Sequence, residues 1–424
     1  MNSAPQKNRK NNALRTYLGR VRAFRPNARL YLMGIILSGI SYGTYRLLFN
    51  FYVLSLGYDQ SLLGQLITIS STASLIAALP MGYLSDVIGR KRSMIIGWVG
   101  SSLSILLMLV FPTRLSFILS NILFGISQSL SQVSSGPFII ENSSEVERTY
   151  LFSFSMGFTM TANFVGNWLG GYLPKWMGLW QKVTATSSTA YGWALSLAFL
   201  AMALAIVPLF FLKRPKAVKD EEKAVFAPFA FFKKQPTLLM KLIFPSFAIS
   251  IGAGLIMPFI NVYFRTVHNQ TDAVIGTVFA WGSLAMAIGV LVAPTLADRF
   301  GKIKVVMVTQ ALSIPFLAIM GFVPIFEVVL VAYYFRIALM NMSNPVYQTF
   351  ILEKVDPSAR GMVASLNSMA FSFGWAFSPV VSGWLQVRYG FQPAFAGTIL
   401  MYALAVFSYW LFFMRKGAAL RSPA

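Results

Sequence analysis

Two arginines stand deep inside apolar sequence, Arg46 in the run 30–56 and Arg336 in the run 326–350. A guanidinium stays charged at any physiological pH, and placing one at the centre of a membrane span costs roughly 2.5–3.5 kcal/mol on insertion scales. The 13 acids all fall nearer the ends of apolar runs, so neither arginine has a carboxylate at its own depth. Such cations are expected to face a wet cavity and to hold an anion, because charge-assisted hydrogen bonds from arginine orient phosphate or carboxylate. A purely structural role for them is the competing reading. Enzyme chemistry is not expected. The sequence offers no paired buried carboxylates, no metal-ligand cluster and no nucleophile–histidine pair, and its one histidine, His268, lies between apolar runs. No cofactor and no metal are therefore expected.

Polar residues recur at helical spacing around the two arginines. Tyr42, Arg46 and Asn50 are four apart, and Tyr333, Arg336, Met340, Ser343 and Tyr347 share one face. A third stripe holds Asn121, Gly125, Gln128, Gln132 and Ser135, and a fourth offers Gly254, Pro258 and Asn261. From these, Arg46, Asn50, Asn121, Gln128, Asn261 and Arg336 are the candidate substrate-binding residues. Interhelical hydrogen bonding is the alternative use of the Ser and Asn positions.

The elements that must position these residues follow from composition. The chain is 56% hydrophobic and 11% charged, against about 25% charged in a soluble protein. A span needs roughly 20 apolar residues, and about twelve such runs can be counted. They predict an all-α membrane protein with bundles at 30–212 and 239–414, a basic tail 1–29, a linker 213–238 and a short tail 415–424. The net charge of +22 suggests nucleic acid until its placement is considered. The Lys and Arg residues concentrate in the tail, the linker and alternate loops, which is the positive-inside bias and predicts both termini in the cytoplasm of a cell-membrane protein. The basic segments then meet anionic lipid, and no nucleic-acid partner is expected. The first thirty residues are basic and polar, unlike a cleaved signal peptide. With no cysteine, disulfides are excluded. Asn269-Gln270-Thr271 matches a glycosylation triplet, for which chance is the better explanation.

The chain also repeats itself. Gly82-Tyr83-Leu84-Ser85-Asp86-Val87-Ile88-Gly89-Arg90-Lys91-Arg92 answers to the stretch from Pro294 to Lys304, 212 residues later, with Asp298, Gly301 and Lys302 in register. The same offset joins Gly64 to Gly276, Glu141 to Glu353, Arg148 to Arg360 and Gly171 to Gly383. A duplicated membrane half is a transporter signature. The expected gate parts are Gly82, Asp86, Gly89, Arg90, Glu141 and Arg148 in one half and Asp298, Gly301, Lys302, Glu353 and Arg360 in the other. Charge clusters of Asp86, Glu141 and Arg148, and of Asp298, Glu353 and Arg360, are expected, against the simpler possibility of solvated loop charges. Small-residue runs at Gly166 to Gly171 and Gly374 to Gly383 read as helix-packing faces.

On its motif from Gly82 to Arg92, the degenerate second copy and twelve spans, the chain resembles the major facilitator superfamily over about residues 28–415. The resemblance implies two pseudo-symmetric six-helix bundles around a central cavity lined mainly by helices 1, 4, 7 and 10, with the motif loop holding one side shut. Arg46 resembles the helix 1 arginine of the superfamily's organophosphate exchangers. Their helix 7 arginine is missing, since Pro258 stands at the repeat position, and Asn121 stands roughly where drug–proton antiporters carry a helix 4 arginine. The helix 5 run resembles the antiporter Gly-Pro motif, with the proline displaced to Pro379 on helix 11.

The function expected is secondary active or facilitative transport of a small solute by alternating access, leaning to an anionic or amphipathic substrate held by Arg46 and Arg336 in a monomer. A multidrug-type exporter is the alternative, with Phe49, Phe124, Met257, Met340 and Trp375 as apolar pocket. A lipid flippase using the same arginines on a headgroup is a further one.

Overall fold

The computed structural model describes residues 26–143, 145–212, 236–356 and 359–415. The basic tail and nearly all of the linker lie outside these residues, as does the side chain of Arg148. Among the described residues there are twelve long helices and no strand. The first six are α1 (Pro26–Ser55), α2 (Gln60–Ile88), α3 (Arg90–Val110), α4 (Arg114–Glu141), α5 (Glu145–Gln181) and α6 (Ser188–Phe210). The second six are α7 (Pro236–Thr266), α8 (Asp272–Phe300), α9 (Lys302–Phe322), α10 (Phe326–Glu353), α11 (Arg360–Tyr389) and α12 (Gln392–Met414). Nine of them are long and apolar enough to cross a membrane, while α4, α5 and α11 are more polar.

Hydrocarbon offers no partner to a bare amide, so the chain closes its own backbone at the helix ends. Asp59 accepts from Leu62 N at 3.0 Å, and Ser187 accepts from Ala190 N at 3.2 Å. Thr271 caps α8 in the same way, which gives the glycosylation triplet a structural reason. The motif turns need glycine: Gly89 has φ 86° and Gly301 has φ 87°, a region that side chains rarely enter.

The helices of each half pack in the same pattern. In the first half α1 lies against α5 and α6, α4 against α2 and α3, and α3 against α6. In the second, α7 lies against α11 and α12, α10 against α8 and α9, and α9 against α12. The halves meet where α2 crosses α11 and where α5 crosses α8, with α1 touching α7 between them. This is the two-bundle fold that the repeat implies.

Candidate functional site

Pro258 lacks an N–H and cannot continue an α-helix cleanly. Around it α7 tightens into a short 3-10 turn, Met257–Phe259. The carbonyl of Pro258 accepts a hydrogen bond from Asn50 Nδ2 at 2.8 Å. Asn50 also donates to Asn261 Oδ1 at 2.9 Å, and Asn261 Nδ2 donates to the Leu47 carbonyl at 2.9 Å. The irregular backbone is thereby satisfied across the seam between the halves.

Below this seam lies a cavity of about 280 Å³, bordered by Arg46, Asn163, Asn261, Arg336 and Trp375 among others. Among the described residues no acid lines it. Arg336 is 2% exposed. Its Nη1 donates to Met257 Sδ at 2.9 Å and its Nη2 to Tyr402 OH at 2.9 Å, both neutral partners. The buried Nε of Arg336 has no partner, nor has Trp375 Nε1 or Asn163 Oδ1. Arg46 is exposed into the same space, and both guanidiniums lie within electrostatic reach of Tyr333. Two cations with no acid among the cavity's described lining thus face one space, with apolar flanks from Phe279, Phe371 and Met286.

The other sequence candidates lie elsewhere. Asn50 and Asn261 work in the α1–α7 seam, although Asn261 also borders the cavity. Asn121 is buried and donates to the Phe117 carbonyl of its own helix. Gln128 is half-buried and does not border the cavity, and neither does any other residue of α4. The expectation of a cavity lined by helices 1, 4, 7 and 10 is therefore corrected in one respect. Helices α5, α8, α11 and α12 supply walls that α4 does not. A physical reason is visible at Gly125, which is packed so closely that a Cβ there would fall 2.2 Å from the Ser70 carbonyl of α2.

The motif loops hold charge clusters that take in the motif's own bases, and the side chain of Arg148 lies outside the described residues. Arg90 pairs with Asp86, lies 3.5 Å from Glu141 and donates to Ser85 Oγ at 2.9 Å. Lys302 pairs with Glu353 in the other half. The motif's own Arg90 and Lys302 thus belong to these clusters. Arg360 donates instead to the Leu352 carbonyl at 3.0 Å, and Asp298 has no ion pair among the described residues. Gly82 stands free, with nothing within 4 Å of a Cβ.

These loops mark one face of the molecule as basic. Gly82, Gly157 and Gly361, on α2, α5 and α11, would each place a Cβ in open space. Toward the opposite face the same helices close. A Cβ on Gly171 would lie 2.7 Å from the Asp272 carbonyl, and one on Gly383 would lie 2.3 Å from the Gln60 carbonyl. Sequence reasoning missed a polar cluster there, made by Tyr191, Arg265 and Asp272. Its one visible signal was an acid opening a span where the repeat position holds Gln60.

Comparison with known proteins agrees with this architecture. A family model described as Major Facilitator Superfamily matches residues 31–271 and 242–424. A multidrug resistance protein MdtG of Rahnella sp. is 26% identical over 217 residues, covering 48% of this chain and 51% of that protein. The protein of the same name from Yersinia enterocolitica is 26% identical over 188 residues, or 42% of this chain and 44% of its own. The chain thus spans about half the length of these curated relatives. Among solved structures, the nucleoside transporter NupG superposes with a TM-score of 0.77 at 13% identity, covering 92% of this chain and 100% of its own. A bacterial homolog to the human lysosomal transporter Spinster gives 0.74 at 12% identity, over 91% of this chain and 95% of its own. At such identities the structures speak for the fold alone.

Proposed function

The chain belongs to the Major Facilitator Superfamily, and from that premise we propose that it moves small organic anions with an apolar body across a membrane by alternating access. The anion sits between Arg46 and Arg336. The basic face is cytoplasmic, by the positive-inside bias, so this conformation is open to the cytoplasm and sealed outside.

One observation carries this reading: Arg336 is almost fully buried, has no carboxylate beside it among the described residues, and its Nε has no partner there. Its bonds to Met257 and Tyr402 orient the guanidinium without neutralising it. A substrate carboxylate or phosphate would supply the missing charge and take the orphaned donors. Mutual repulsion between the two cations, strong in a low-dielectric interior, is relieved by the same event. The apolar walls would then hold the body of the solute.

A second reading, export of amphipathic drugs, is supported by the name of the MdtG relatives and by Met257, Met286 and Met340 around the cavity. The two readings part on charge. Purified protein in liposomes would be given carboxyfluorescein as the anion and ethidium as the cation. Arg336→Gln and Arg46→Gln should each lower anion flux at least about tenfold, the equivalent of one charge-assisted hydrogen bond. The multidrug reading wins if both variants keep ethidium flux and the parent carries no anion.

A further inference from the structure

We propose that Tyr191, Arg265 and Asp272 form the gate on the face opposite the basic loops, a reading that rests on alternating access. Arg265 and Asp272 both belong to the second half, and Nη1 lies 3.2 Å from Asp272 Oδ1. The first half adds two aromatic residues. Tyr191, on α6, donates its hydroxyl to Asp272 Oδ2 at 2.7 Å. Phe51, on α1, lies under the guanidinium of Arg265, whose centre is 4.4 Å from the ring centroid, and the Tyr191 ring is 5.5 Å away. Tyr191 is wholly buried and Asp272 is 7% exposed, so water does not compete for these contacts.

The division of labour between the halves makes this a reversible gate. A salt bridge spanning the halves would have to separate opposite charges whenever the transporter opened. Here the ion pair stays within one half, and opening removes only a phenol hydrogen bond and a ring face. Water can then hydrate a pair that remains intact, which offsets part of the loss. Closure is also required for the contact to exist. Asp272 opens α8 at the point where its own carbonyl meets Gly171 of α5, so the carboxylate reaches Tyr191 only when the two halves touch.

A plain structural role for Tyr191 would cost stability without moving the gate. The absence of cysteine allows a direct test. Val183→Cys and Val267→Cys, at exposed positions on opposite halves of the sealed face, would carry spin labels for distance measurement in nanodiscs. Tyr191→Phe should raise the ratio of open to closed populations about tenfold, as one hydrogen bond to a charged group does. Phe51→Leu should raise it a few-fold. Tyr191→Phe combined with Asp272→Asn should exceed the larger single effect by little, because both act on one bond, which Asp272→Asn leaves with only a neutral acceptor. A Tyr191→Phe distribution that superimposes on the parent's, with lower thermal stability alone, overturns the gate. Strictly additive single effects overturn the shared bond. Should Asp272→Asn fail to fold, Tyr191→Phe alone decides. The distances are read without solute, so a parent that carries no anion would sink the transport proposal and leave this one standing on its own data.

Discussion

Beside the α1–α7 contact, two further seams join the halves, and the repeat makes these two copies of one another. At the α2–α11 crossing, a Cβ on Gly64 would meet the Pro379 carbonyl and one on Gly383 the Gln60 carbonyl. At the α5–α8 crossing, a Cβ on Gly276 would meet the Asn167 carbonyl and one on Gly171 the Asp272 carbonyl. Every member of the first set maps onto the second by the 212-residue offset. The chemistry laid over this shared backbone differs. The α2–α11 seam adds a hydrogen bond from Val380 N to Thr68 Oγ1 at 3.2 Å. The α5–α8 seam adds a buried ion pair, a phenol and two aromatic faces. Duplication has preserved the closeness of the helices, which only glycine allows, and has left their side-chain chemistry to diverge.

The largest effect should come from breaking the shared feature. Gly171→Ala and Gly383→Ala each force a methyl into a backbone carbonyl, and overpacking of that kind costs about 1–3 kcal/mol. Both should depopulate the sealed state by roughly fivefold to 150-fold, equally at the two seams. Spin-label distances across the sealed face check this. A large effect at one seam and none at the other would show that only one crossing bears on closure.

How much of this was legible in the sequence divides along the same line. The glycine pairs Gly64 with Gly276 and Gly171 with Gly383 were visible as an offset, because a duplication copies backbone constraints into residue identity. Arg336 was visible because a charge in an apolar run violates the composition of its surroundings. Tyr191 was not, since it looks like any aromatic near a helix start, and its partner Asp272 lies 81 residues away in the other half. The α4 stripe misled for a related reason. Helical periodicity says that Asn121 and Gln128 share a face, but leaves open what covers that face and whether Asn121 spends its amide on the Phe117 carbonyl. The base of the second-half motif cluster was likewise misplaced. Spacing picked out Arg360, whereas Lys302 is the base that pairs with Glu353, and in the first half Arg90 reaches both Asp86 and Glu141.

The motif loops repeat the comparison at the basic face with a smaller expected difference. The Arg90 side chain is 16% exposed and its partner Glu141 35%, while Lys302 and Glu353 are 32% and 53% exposed. Arg90→Ala also strips the Ser85 hydroxyl of a donor, so it should lower thermal stability by about 1–2 kcal/mol. Lys302→Ala should cost at most about 1 kcal/mol, the range of exposed pairs, and lose that effect in high salt. Thermal unfolding in detergent at low and high salt distinguishes them. Equal losses would mean that the two loops are energetically interchangeable. At the α2–α11 seam, Thr68→Val should shift the closed population by no more than about threefold, because the Val380 amide it leaves belongs to a helix interior.

The smallest effect is expected from pH, and only beside the α5–α8 seam. His268 lies in the loop between α7 and α8, and its repeat position is Leu56, which cannot titrate. Its Nε2 stands 3.1 Å from the Tyr263 hydroxyl, and burial holds the imidazole below its ordinary value. A base whose folded value is depressed stabilises the fold while neutral. That contribution is present above about pH 6.5, the unfolded value, and is lost as the pH falls through the region below it. Lowering the pH from about 7.5 to 5.5 should therefore loosen the end of α7 slightly, as the imidazole takes up its proton more readily in the opened state. His268→Gln should keep a polar partner for Tyr263 and flatten the pH response. Hydrogen exchange of the amides from Tyr263 to Gln270 reads the effect locally, including the Gln270 amide that bonds to the Phe264 carbonyl at 3.1 Å. Faster exchange in acid in the parent, abolished by His268→Gln, is the expected result once intrinsic rates are subtracted. An unchanged acid response in the variant would move the titrating group elsewhere, and the acid at this seam is Asp272.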